Sequence, residues 1–128
     1  MQESDMRRNR KIVARGVLIG FMVLALRDCD IARANTPEYF SRVVDAIYRI
    51  EGGEKTRFPF GVKSVRCEGY SECRRVCANT VRNNWRRWNE ADRPGEFLDF
   101  LGNRYCPATV DPVGNKNWKK NIKRMVRI

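Results

Sequence analysis

Thr36-Pro-Glu-Tyr-Phe-Ser-Arg-Val-Val-Asp-Ala-Ile-Tyr-Arg-Ile-Glu51-Gly-Gly53 reads as a helix with both ends marked. Thr36 is a favourable N-cap, Pro37 suits the first helical position, and Glu38 stands where the positive end of the helix dipole favours an acid. Phe40, Val43, Val44, Ile47 and Ile50 recur at three- and four-residue spacing, which is one face of a helix. Two glycines then stop it. The pattern predicts a helix over 37–51 that must bury its apolar face against partners supplied by the rest of the chain.

Those partners follow downstream. Ser71 offers an N-cap for a second helix running to about Ala91. Its stripe is Cys73, Val76, Cys77, Thr80, Val81, Asn84, Trp85 and Trp88, with Arg74, Arg75, Arg82, Arg86 and Arg87 largely outside it. The arginines read as a solvated face, and the two tryptophans as core. A short third helix is expected from Pro94, carrying Phe97, Leu98, Phe100 and Leu101 and stopped by Gly102. A fourth is expected from about Asn115 to the end, with Trp118, Ile122, Met125 and Val126 on one side and lysines and arginines elsewhere. Between the first two helices lies a loop from Gly52 to about Tyr70, containing Phe58-Pro-Phe-Gly61 and Val62-Lys-Ser-Val65. It has at most a short strand and is long for a passive connection. The expected class is mainly α, a small helical domain with one long loop.

Ahead of this domain the chain looks like a secretory leader. Arg7, Arg8, Arg10, Lys11 and Arg15 precede the apolar run Gly16–Leu26, and Ala32-Arg33-Ala34 matches an A-x-A cleavage pattern. The run is too short to span a bilayer as a helix. The expected division is a signal peptide over 1–34, cut after Ala34, and a domain over 35–128, located in the periplasm or secreted. From Asn35 onward there are 19 Lys/Arg against 11 Asp/Glu, a net charge of +8, so the basic balance belongs to the domain. Such a charge suits an anionic partner: a cell-wall polymer, an anionic lipid surface or nucleic acid. The fourth helix, basic and amphipathic, has a weak membrane association as its second use. Export argues against nucleic acid.

Of five cysteines, Cys29 falls in the leader, leaving Cys67, Cys73, Cys77 and Cys106. An even number in a short exported domain reads as two disulfides. The spacing C-x5-C-x3-C-x28-C does not match the paired knuckles of structural zinc sites. Cys73 and Cys77 sit one turn apart on one helix, so they are not expected to pair with each other. Two pairings stay open: 67–73 with 77–106, or 67–77 with 73–106.

The chain contains no histidine, which removes Ser-His-Asp and Cys-His catalysis and histidine metal sites. No nucleotide-binding glycine loop or nucleophile-elbow motif occurs, and no cofactor or metal is expected. Carboxylates are therefore the candidates for acid–base work. Glu51 stands out by position. It lies eleven residues after Phe40, a rotation that returns it to within about 20° of that residue's direction. It should thus share the apolar stripe at the last turn of the first helix. Poor hydration and the negative end of the dipole both disfavour a charge there. A protonated acid in such a place is what cleavage of a glycosidic bond requires.

Ala46-Ile-Tyr-Arg-Ile-Glu51-Gly-Gly53 resembles the helix-ending Glu-Ser/Gly-Gly of the lysozyme-like superfamily, in particular lytic transglycosylases and goose-type lysozymes. Phe60-Gly-Val-Lys-Ser64 looks like the loop segment that follows, and Leu101-Gly-Asn-Arg-Tyr-Cys-Pro107 with Asn117-Trp118 resembles the downstream cleft-lining part of small phage-type members. The resemblance spans most of 38–126. Its departures are Gly52 where many members have Ser, and Gly61-Val-Lys-Ser64 where they have Gly-Leu-Met-Gln. It implies cleavage of the β-1,4 bond between the amino sugars of peptidoglycan by a monomeric enzyme, with Glu51 as catalytic acid. Ser64, Arg104, Tyr105 and Asn117 are its implied substrate-binding residues. Glu54 and Asp111 are the candidates for a second carboxylate, and neither stands in a clear position for it, which favours the single-acid transglycosylase reaction. The competing reading is a non-catalytic basic exported protein that binds an anionic partner.

Overall fold

The computed structural model describes residues 36–127; the leader-like segment 1–34, its cleavage point after Ala34 and Cys29 lie outside the described residues. Pro37–Ile128 form one compact unit. Its elements are α1 (Pro37–Ile50), a 3₁₀ turn (Gly53–Lys55), α2 (Gly69–Glu90), α3 (Phe97–Tyr105) and α4 (Pro112–Arg127). Among the described residues there is no strand. The domain is mainly α, with the long loop between α1 and α2 where the sequence puts it.

Each apolar stripe finds the next. Helix α1 packs on α2 and α4, and α3 packs on the same two helices from another side. Val43, Val44 and Ile47 of α1, Cys77 and Val81 of α2, Leu101 of α3 and Ile122 of α4 are fully buried at their meeting point. Burying each of the larger aliphatic groups contributes about 1.5–3 kcal/mol, which is what holds four short helices together. At one end, Trp85 packs on Trp88 and Phe97, with ring centroids 4.9 and 4.8 Å away. Both tryptophans are core. Because Trp118, Ile122 and Val126 of α4 are buried in the domain, the apolar side of that helix faces its own core.

The helix ends differ from the sequence reading in instructive ways. Helix α2 starts at Gly69 rather than after Ser71. The Glu72 carboxylate accepts the Glu68 amide at 2.8 Å, satisfying a donor at the new start. Helix α3 begins at Phe97, not Pro94, because residues 92–95 form a turn with positive φ at Asp92, Arg93 and Gly95. It then runs through Gly102 to Tyr105. Gly102 is not a stop signal but a contact: a Cβ there would meet Trp118 Cε3 at 3.1 Å and Lys119 Cγ at 2.7 Å. Its bare backbone lets α3 and α4 cross closely. Helix α4 starts at Pro112, three residues earlier than expected, since Asp111 acts as its N-cap and accepts the Gly114 amide at 2.8 Å.

One of the two expected disulfides is present among the described residues, Cys67–Cys73. The expectation of a second bridge is corrected: Cys77 and Cys106 are free thiols, the first buried and the second half-buried. The Cys77 sulfur instead lies 3.6 Å from the Tyr105 hydroxyl. The bridge that is made closes a loop over a sequence separation of 6, for which chain entropy gives about 2 kcal/mol. Cys73→Ser is expected to lose that amount in urea unfolding compared with the oxidised protein, and reductant should lower the parent protein to the same level.

Candidate functional site

Glu51 follows the last residue of α1, its amide still bonded to the Ile47 carbonyl at 2.9 Å. Gly52 takes φ +90° and Gly53 φ +54°, a left-handed turn that glycine adopts without steric cost. The chain therefore leaves α1 abruptly while Glu51 stays in helical register and points inward. Thr56 donates its hydroxyl to the carbonyls of Glu51 and Gly53 at 3.3 and 3.2 Å, holding this corner closed.

The Glu51 side chain is half-buried, and the neighbours that fix it come from distant parts of the chain. The Trp118 indole N–H of α4 donates to Glu51 Oε1 at 2.9 Å. Gly61, in the long loop, lies against the other side of the carboxyl: a Cβ built there would be 2.6 Å from Cδ and 2.7 Å from Oε2. Gly61 also has φ +68°, so two independent reasons call for glycine. Phe60, 2 % exposed, anchors this loop by packing on Tyr48 and Tyr70 at 4.9 and 5.7 Å. That aromatic cluster is how an otherwise irregular segment is brought to the end of α1.

Behind Trp118 lies Tyr105, stacked on it at 5.1 Å with ring planes 16° apart. The Tyr105 hydroxyl meets the Cys77 sulfur. One continuous path thus runs Cys77, Tyr105, Trp118, Glu51, joining α2, α3, α4 and α1. Burial raises the Tyr105 phenol well beyond the usual phenol range, with the Cys77 contact and the Glu51 charge adding to it. Burial likewise pushes the Cys77 thiol up to about 11; the Tyr105 hydrogen bond and Arg74 oppose the shift, while Glu51 and Asp45 add to it.

These shifts predict a pH dependence. Thiol and phenol are neutral when protonated, so the folded state keeps protons that the unfolded chain releases. Stability should be unaffected by Cys77 below about pH 9 and should fall as pH rises from there toward about 11, by about 2–3 kcal/mol if the thiol alone is followed. A melting series from neutral to strongly alkaline pH checks it. Iodoacetamide should label half-buried Cys106 in the native protein and Cys77 only after unfolding.

The other residues singled out by sequence are arranged less closely. Ser64 is exposed in the loop and Asn117 is exposed on α4, one residue before Trp118; neither makes a hydrogen bond to the Glu51 side chain. Arg104 is exposed on α3 and lines a cavity with Asn84, Arg87, Phe100 and Asn103. Asp111, a candidate second carboxylate, is engaged as the cap of α4. Glu54 is exposed and lies with Tyr48, Arg49, Gly52, Gly53 and Lys55 around a 530 Å³ cavity beside the corner; Glu51 itself does not line it. No group of three or more potential metal ligands occurs among the described residues. The bond from Trp118 to Glu51 had no sequence signal: Trp118 fits the apolar stripe of its helix, and nothing in that stripe says which residue its N–H would reach, 67 positions away.

No protein-family model, curated protein or solved structure matches the chain.

Proposed function

We propose that the domain is a small lysozyme-like enzyme that cleaves the β-1,4 glycosidic bond of peptidoglycan, with Glu51 as its single acid–base group. The observation that carries this is the 2.9 Å bond from the Trp118 indole to Glu51 Oε1. A general acid must have one carboxyl oxygen fixed so that the other can present a proton along one direction. Here Oε1 is held by Trp118, and Oε2 lies against the Gly61 backbone, where any side chain would collide with the carboxyl.

The reaction then needs one carboxyl group. Glu51 gives its proton from Oε2 to the bridging oxygen as the C1–O4 bond breaks. The resulting carboxylate takes the proton of the same sugar's 6-hydroxyl as that oxygen bonds to C1, which regenerates the acid and leaves a 1,6-anhydro sugar. Water in place of the 6-hydroxyl would give hydrolysis, usually with help from a second carboxylate. Asp111 caps a helix, and Glu54 is exposed at a cavity that Glu51 does not line, which favours the anhydro route.

The substrate is anionic and outside the cytoplasm. That agrees with the +8 charge of 35–128, the leader-like segment 1–34 and the use of a disulfide. The test is mass spectrometry of muropeptides released from purified sacculi. Products one water lighter than hydrolytic ones are expected. Failure to release any soluble muropeptide would overturn the proposal.

A further inference from the structure

The outer side of α4 carries Val113, Lys116, Asn117, Lys120, Arg124 and Arg127, all exposed. At 100° per residue they fall within an arc of about 100°, and the row they form is about 21 Å long. We propose that this row, with the 107–113 turn at its head, is a docking surface for an anionic lipid bilayer.

Charge on this face is one-sided. Helix α4 contains lysines and arginines and no acid. On α2, by contrast, exposed arginines share the surface with acids: Arg75 with Glu72 at 3.9 Å and Arg86 with Glu90 at 3.8 Å. Lys116, Lys120, Arg124 and Arg127 form no ion pair among the described residues. The acids that do reach α4, Glu96 and Asp99, both go to Lys123 on the flank of the row. Like charges four residues apart, as in Lys116 with Lys120 and Lys120 with Arg124, oppose helix formation. An anionic surface turns that repulsion into attraction, and basic groups spaced more closely than the screening length act on it together.

Charge alone would suit a soluble polyanion equally well; the head of the row argues for lipid. Val110 and Val113 are 82 % and 70 % exposed, and Pro107, Ala108 and Pro112 around them are exposed too. A soluble polyanion offers these tips little apolar surface, whereas the boundary between headgroups and acyl chains does. Asp111 is the one acid in the turn. Its carboxylate accepts the Gly114 amide at 2.8 Å, at the positive end of α4, which offsets part of its charge. The mode inverts that of an ordinary interfacial helix. Trp118, Ile122 and Val126 are buried in the domain's own core, so α4 meets the lipid with its charges and only the turn enters the boundary. Trp118, whose indole reaches Glu51, leaves the helix about 140° from Val113. Docking thus uses a different side of α4 from the one that holds the carboxyl, and the proposal does not rest on the reading of Glu51.

Co-sedimentation of the full chain tests it, with vesicles of phosphatidylcholine alone and of equal parts phosphatidylglycerol and phosphatidylcholine. The anionic vesicles should bind at least about tenfold more tightly, and added salt should erode the difference. The apolar run Gly16–Leu26 is present in every variant, so the ratio of variant to parent is what locates the binding. Lys116→Gln with Lys120→Gln should weaken binding to the anionic vesicles about 20-fold, or about fivefold for each charge. Arg82→Gln with Arg87→Gln removes the same charge from exposed positions of α2 and should stay within about twofold of the parent. Val110→Ser with Val113→Ser should weaken vesicle binding about fivefold and leave binding to duplex DNA, a polyanion without an apolar layer, unchanged. Lack of preference for the anionic vesicles, an equal loss in the two charge variants, or a valine variant that binds vesicles as the parent does would each overturn the proposal. The last of these, joined to an equal loss of DNA and vesicle binding in the lysine variant, would assign the row to a soluble polyanion.

Discussion

Glu51→Gln is expected to lower the rate of muropeptide release from sacculi by about 10²–10⁴-fold, the contribution of one well-placed general acid. The substitution keeps the shape of the side chain and retains a carbonyl oxygen to accept the Trp118 N–H, so the helix end, the glycine turn and the Gly61 contact have no reason to move. The melting temperature should stay within a few degrees of the parent's. The two readouts together make the experiment decisive. A protein that stays folded and loses its activity has lost a proton donor, whereas equal activity would remove Glu51 from the chemistry altogether.

The second large effect is expected at Trp118, where stability and positioning can be separated by two substitutions. Trp118 is 6 % exposed, stacks on Tyr105 and touches the Gly102 backbone region. Trp118→Ala empties that space and should cost about 3–5 kcal/mol in urea unfolding. Trp118→Phe keeps an aromatic ring against Tyr105 and deletes the N–H. It should cost less in stability, about 1–3 kcal/mol for a polar partner left unmatched. In kinetics it should lower kcat by up to about 10²-fold, the scale for a misplaced reacting group, with KM little changed. A variant that altered KM and left kcat intact would show that Trp118 binds sugar instead of orienting the acid.

The helices were legible in the sequence because each carries its own periodic stripe. Glu51 was legible for the same reason, since its position on the stripe of α1 follows from counting residues. Helix boundaries were less so. Gly102 has the same identity whether it ends a helix or makes room for a neighbour, and only the presence of Trp118 across from it decides between the two. Asp111 has a similar ambiguity: as a lone acid it invites a catalytic reading, yet followed by Pro112 it caps a helix. The cysteines mislead in a third way. Their even number suggests complete pairing, but Cys77 falls on the inner stripe of α2, where burial beside Tyr105 serves a small apolar side chain well. Of the substrate-binding candidates, Tyr105 joins the Glu51 path through Trp118 and Arg104 faces a separate cavity; no local spacing could distribute them so, because both relations depend on how α3 lies across α2 and α4.

The missing methyl at position 102 ties two properties that are usually mutated separately. A larger residue there meets the Lys119 side chain at 2.7 Å and, next to it, the indole ring that reaches Glu51 at 3.1 Å. A lesion in a helix-crossing contact would be read out as a misaimed carboxyl. Directed evolution of this domain for heat tolerance should therefore vary positions 102 and 118 as a unit, since a gain at one without accommodation at the other would arrive as a sturdier protein with the Trp118–Glu51 bond displaced.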